Sequence, residues 1–188
     1  MAGIARIVHR ADRRSAGLRS ASWRRAVVIG VLTLLPSLAR AQHLLLPMDD
    51  AQRNHLKAYG VAFLALKTGQ KAEWLLNYRG GAFLLPDAPD LRRRAALDGV
   101  SVEPLTDAGV ASARAEIAGG NMDAVVLERA PKIAIYRPAN QPPWDDAVTL
   151  ALQYAGIDFT SVWDDEVIQG DLAKYDWVHL HHEDFTGQ

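Results

Sequence analysis

The apolar and polar positions of this chain first form one long apolar run and then a series of short ones. The long run, Ala26-Val27-Val28-Ile29-Gly30-Val31-Leu32-Thr33-Leu34-Leu35, follows Arg24-Arg25 and is broken by Pro36-Ser37. A membrane-spanning helix needs about 20 apolar residues, and this run is shorter. Ala39-Arg40-Ala41 then puts small residues at the two positions a signal peptidase reads. Residues 1–41 are therefore expected to be a cleaved export signal, with no stable membrane span left after cleavage and Gln42 as the first mature residue. Trp23-Arg24-Arg25-Ala26-Val27-Val28 has twin-arginine order, although Trp stands where Ser or Thr is usual. The twin-arginine and general secretory routes both stay open, and the compartment is periplasmic or extracellular.

Past Gln42 the pattern alternates strands and helices. His43-Leu44-Leu45-Leu46 predicts a buried strand. Asp49 or Asp50 predicts a cap for a helix over 51–67, in which Leu56, Tyr59, Phe63 and Leu66 follow helical spacing. Residues 72–78 and 82–85 predict strands on either side of an Arg79-Gly80-Gly81 turn. A short helix over 87–98 closed by Gly99 precedes a strand at 100–104. Thr106 or Asp107 predicts the cap of a helix running to Ile117. A second unit begins near Pro131, with a strand at 132–136, a helix opened by Trp144-Asp145-Asp146 and ended by Gly156, and a strand at 159–163. A short helix near 166–172 and a strand at 175–180 complete it. Strand and helix alternation with short connections predicts an α/β fold with an open, mostly parallel sheet and flanking helices. The expected division is an N-terminal α/β unit over 42–130 and the start of a second α/β unit over 131–188. No closing helix follows the last strand, so the chain is expected to be part of a longer protein.

Charge divides where the export signal ends. Residues 1–41 carry eight Arg against Asp12, whereas the rest carries 13 basic and 21 acidic residues. Residues 133–188 hold ten acids against Arg137 and Lys174. Such an acidic chain repels nucleic acid and anionic lipid. Cysteine is absent, which excludes thiol nucleophiles, disulfides and thiolate metal sites. G-x-G-x-x-G, P-loop, G-x-S-x-G and H-E-x-x-H signatures are also absent.

The candidate chemistry lies at strand ends. In strand geometry, His179 of the strand over 175–180 and His181 just after it point to one face, a spacing at which two imidazoles can share a divalent metal such as zinc. Glu183 and Asp184 follow as candidate catalytic carboxylates. Asp49, Asp50, Asn54 and Arg79 are candidate ligand-binding residues around the first strand end. The same residues also serve ordinary caps and turns. Trp74, Trp144, Trp163 and Trp177 are expected to pack in or beside strands, and Arg92-Arg93-Arg94 to form a solvated helix face.

Several long words in the chain resemble a family of exported bacterial proteins labelled asparagine synthetase B. They are 44–50 (LLLPMDD), 54–60 (NHLKAYG), 74–81 (WLLNYRGG), 144–150 (WDDAVTL) and the 179–188 tail. The N-terminal Cys and the S-G-G-x-D-S loop of glutamine-dependent asparagine synthetases are not in this sequence, so the label transfers no catalytic residue. Residues 131–184 resemble the opening of class I glutamine-amidotransferase-like domains, with 175–178 (YDWV) matching the last strand. The resemblance implies a flavodoxin- or amidotransferase-like second half. The expected function is binding of a small polar ligand or a metal at strand ends, with metal-assisted hydrolysis or amide chemistry if the protein is an enzyme. The alternative is a non-catalytic envelope assembly or protein-interaction module.

Overall fold

A computed structural model of the chain describes residues 42–138 and 146–180. Residues 1–41, the expected export signal, and Trp144, Asp145, His181, Glu183 and Asp184 lie outside the described residues. Those described form two sheets and five α-helices within one compact unit. No helix among them is long and apolar enough to cross a membrane.

The first sheet contains β1 (His43–Leu46), β2 (Ala72–Leu76), β3 (Phe83–Pro86), β4 (Glu103–Leu105) and β5 (Asp123–Leu127), in the order β4-β1-β3-β2-β5. Every pairing in it is antiparallel, for example Leu45 with Leu84 and Trp74 with Val125. This corrects the expectation of a mostly parallel sheet. β1 and β2 do run in the same direction, joined by helix α1 (His55–Lys67), but β3 lies between them. The reason is the short connection from β2 to β3, a single 3-10 turn over Tyr78–Gly80. So short a link can only reverse the chain, whereas parallel neighbours need a long crossover.

Leu44, Leu45 and Leu46 are at most 1% exposed, because helices cover both faces of β1. On one face Leu44, Leu46, Phe83 and Leu85 pack against α1 and against α2 (Pro89–Asp98). On the other, Leu45, Leu75 and Leu84 pack against Val110 and Ile117 of α3 (Asp107–Gly119). Burying each leucine contributes roughly 1.5–3 kcal/mol, so this strand is a main anchor of the unit. The apolar run reported two-sided burial correctly and carried no information on strand direction.

α1 begins at His55 rather than near 51. Asn54, not Asp49 or Asp50, is its cap and accepts the Lys57 N–H at 3.2 Å. Asp49 forms a turn with the N–H groups of Ala51 and Gln52 instead. Thr106 caps α3, and Gly99 closes α2 in the left-handed conformation. Trp74 and Trp177 lie in strands as expected, Trp74 stacked on Phe83, but both are substantially exposed instead of buried, and β5 is a strand the sequence pattern did not reveal.

The second sheet contains β6 (Ile133–Tyr136), β7 (Thr160–Val162) and β8 (Trp177–Leu180), in the order β7-β6-β8, and both pairings are parallel. Helix α4 (Ala147–Ala155) joins β6 to β7. Helix α5 (Asp164–Ile168) and a 3-10 turn over Asp171–Lys174 join β7 to β8. Ile133 and Ile135 pack on Leu152 of α4.

α4 also packs on α1. Asn54 donates to the Tyr154 hydroxyl at 2.7 Å, and the Lys57 ammonium sits 4.9 Å from the centre of the Tyr154 ring. Gly60 faces the Ala155 carbonyl so closely that a Cβ there would lie 1.9 Å from its oxygen. Arg94 of α2 donates to the same carbonyl at 3.3 Å, giving the last turn of α4 a cationic partner.

Candidate functional site

Two clusters form at strand ends, one in each sheet. In the first sheet, Arg79 joins Asp49 and Glu103. Its Nε donates to the Asp49 carboxylate, and Nη2 and Nη1 donate to Glu103 at 2.9 and 3.2 Å. Arg79 has φ +47°, and its carbonyl accepts the Met48 N–H at 2.9 Å. The next residue must be glycine. Gly80 has φ +77°, and a Cβ would lie 2.4 Å from the Met48 carbonyl oxygen. The hydrogen bond from Arg79 holds Asp49 below its ordinary pKa, and the two carboxylates raise that of Arg79. The structure thus brings two of the candidate residues together, with Glu103 as a third that the sequence did not single out. Both guanidinium edges are taken by carboxylates, so the cluster ties β1, β4 and the 3-10 turn together. Asp50 is exposed beside it. Asn54 is occupied by its capping bond and by Tyr154, and His55 Nε2 lies 3.2 Å from the Met48 carbonyl.

The second cluster lies at the carboxyl ends of β6–β8. Register puts Ser161, Ile135 and His179 opposite one another on three adjacent strands. Arg137 stands two residues beyond Ile135 and so returns to the same face. Its Nε donates to Ser161 Oγ at 3.0 Å, while its buried Nη1 has no hydrogen-bond partner among the described residues. Buried polar groups are nearly always satisfied, so an open guanidinium donor at a strand end is a feature that a bound acceptor would explain.

His179 is half-buried, with Nε2 3.4 Å from Oδ1 of Asp146. Asp146 is 7% exposed and caps α4. It accepts the Val148 N–H at 3.2 Å, the Thr149 N–H at 3.0 Å and the Thr149 hydroxyl at 2.6 Å. With His179 alongside, its lone pairs are fully used. Burial pushes the Asp146 pKa up, but the Thr149 and Val148 bonds and the nearby His179 outweigh it and hold the group at about 2, against an ordinary 3.8. The carboxylate is therefore a fixed negative charge behind His179.

That shift has a consequence for acid stability. Because the folded pKa is depressed, the contribution is fully present above about pH 4 and disappears as pH falls through about 2. It amounts to about 2 kcal/mol. Asp49 and Asp176 are shifted in the same direction, each chiefly by an arginine hydrogen bond, Arg79 and Arg129 respectively. The urea midpoint is expected to fall steeply between about pH 4 and about pH 2, and less steeply in Asp146→Asn. Parallel pH profiles for the two proteins would refute the assignment.

His179 thus lies in a strand end as expected, and its described acidic partner is Asp146. The sequence signal for Asp146 was its position as a helix cap, and for Arg137 its place just past a strand, two residues from a buried isoleucine. Asp164 at the start of α5 accepts the Tyr136 hydroxyl at 2.6 Å, and Glu166 accepts the Trp163 N–H at 2.8 Å, so these acids serve local structure. Among the described residues no group of three His, Asp or Glu could hold a metal ion. Comparison with protein-family models, curated proteins and solved structures finds no match to this chain.

Proposed function

We propose that this is an exported binding protein that takes a small polar ligand with an anionic group at the carboxyl ends of β6 and β8. The observation that carries the reading is the strand order β7-β6-β8 in a parallel sheet. The first strand of this sheet is central, the second flanks it on one side and the third on the other. This is the order that opens a flavodoxin-like sheet, and ligands of such sheets bind at the switch point between the first and third strands. That order also supports the amidotransferase-like reading of the second half. Here the switch point lies between β6, which leads into Arg137, and β8, which carries His179. The open donor of Arg137 suits a carboxylate or phosphate. Export itself rests on the sequence of residues 1–41, and the resemblance to the exported family labelled asparagine synthetase B agrees with it.

A second reading, a divalent metal at His179, is favoured by one feature. Metal-bound histidines commonly keep a carboxylate on the ring nitrogen that does not touch the metal. Asp146 sits beside Nε2, which leaves Nδ1 as the nitrogen to face a metal. A zinc site needs about four ligands, and the described residues supply one.

The test is titration of the full chain with inorganic phosphate and with malonate, read from the His179 ring signals by NMR. Saturable shifts that vanish in Arg137→Gln are expected, and their absence with both anions would end the first reading. Equilibrium dialysis with zinc examines the second. Loss of bound zinc in His179→Ala would support it, and equal, near-zero zinc in both proteins would remove it.

A further inference from the structure

A cavity of about 310 Å3 opens at the opposite, amino-terminal edge of the second sheet, where it meets the end of α1. This volume lies at the lower end of the range of small-molecule pockets, about 300–1,000 Å3, and such pockets favour junctions between packed units. Phe63, Phe159 and Tyr175 contribute aromatic walls, and Lys67, Lys132 and Asp158 contribute charge. The charges are not equivalent. Lys67 forms an ion pair with Asp158, so those two neutralise each other. Lys132 lies near Asp176, but Asp176 is already held by Arg129 through two bonds of 2.6 Å and by the Lys132 backbone N–H at 2.8 Å. Among the described residues, no carboxylate lies within 4 Å of the Lys132 ammonium.

We infer that this cavity is a second binding site, for a small planar organic anion whose ring lies among Phe63, Phe159 and Tyr175 and whose carboxylate faces Lys132. Aromatic walls favour a flat ring by area burial and by edge or face contacts. One uncommitted ammonium at the mouth selects an acid over a neutral ring or a base. The site is separate from the Arg137–His179 cluster, since it lies at the other end of the same strands.

Indole-3-acetate is a suitable probe, with indole and acetate as its two halves. Calorimetry on the full chain is expected to give one saturable site for indole-3-acetate, weaker binding of indole and no measurable binding of acetate. Lys132 is exposed, so Lys132→Gln should melt like the wild type, yet its affinity for indole-3-acetate should drop roughly tenfold. Arg137→Gln should bind the probe normally. Failure of the probe to saturate the wild type, unchanged affinity in Lys132→Gln, or equal loss in Arg137→Gln would each overturn the inference. The last result would assign the probe to the other end of the sheet.

Discussion

Gly60→Ala is expected to destabilise the protein by about 3 kcal/mol or more, reversing the usual sign of a glycine to alanine change in a helix. Gly60 sits in the middle of α1, where alanine would normally add about 1 kcal/mol. Here the new Cβ would lie 1.9 Å from the Ala155 carbonyl oxygen and 2.9 Å from its carbon. Both atoms are backbone, so no rotamer change can relieve the contact, and α4 must move off α1. The Arg94 bond to the same carbonyl and the Asn54–Tyr154 bond would then be strained together. A melting temperature lower by on the order of 10 °C follows for a domain of this size. Gly119→Ala is the control, because it lies at the end of α3 with nothing within 4 Å of a new Cβ. It should be neutral or slightly stabilising. Gly60→Ala melting like wild type would mean that α1 and α4 do not cross at this point in solution.

Asp146→Ala should cost nearly as much, about 2–3 kcal/mol, for a different reason. The substitution removes the cap of α4 and leaves two N–H groups and the fully buried Thr149 hydroxyl without their acceptor. It also removes the fixed negative charge behind His179. Asp146→Asn retains one oxygen acceptor and should lose less, about 1 kcal/mol. Urea denaturation at neutral pH measures both. The order wild type, Asn, Ala in falling stability is expected, and an Ala variant as stable as the Asn variant would show that the cap bonds contribute little. Because Asp146 is occupied by its own helix and by His179, the prediction concerns stability and the setting of His179, not direct contact with a ligand.

The candidate site was legible only in fragments. His179 stood out through its neighbour His181, while Arg137 and Asp146 looked like ordinary loop and cap residues. Nothing in local spacing reports that residues 137, 146, 161 and 179 converge, since the convergence comes from strand register and from the path of α4. Asp49 and Arg79 were singled out as ligand contacts, but Glu103, 24 residues beyond Arg79, joins them because β4 pairs with β1. The resulting ion pairs occupy the guanidinium that an anion would need. The tight Arg79-Gly80-Gly81 turn between two strands was itself a hairpin signal, and it outweighed the βαβ rhythm in setting strand direction.

Local chemistry determined where most elements lie: buried apolar runs at 43–46, 83–85 and 133–136, and helix ends at Thr106, Gly99 and Gly156. These depend on side-chain period, capping and backbone freedom, which neighbouring residues specify on their own. Tertiary structure alone decided that the first sheet is antiparallel and the second parallel, that Gly60 lets two helices touch, and that Arg137 meets Ser161. Those outcomes depend on which distant backbone groups meet. An apolar residue looks the same in sequence whichever partner buries it.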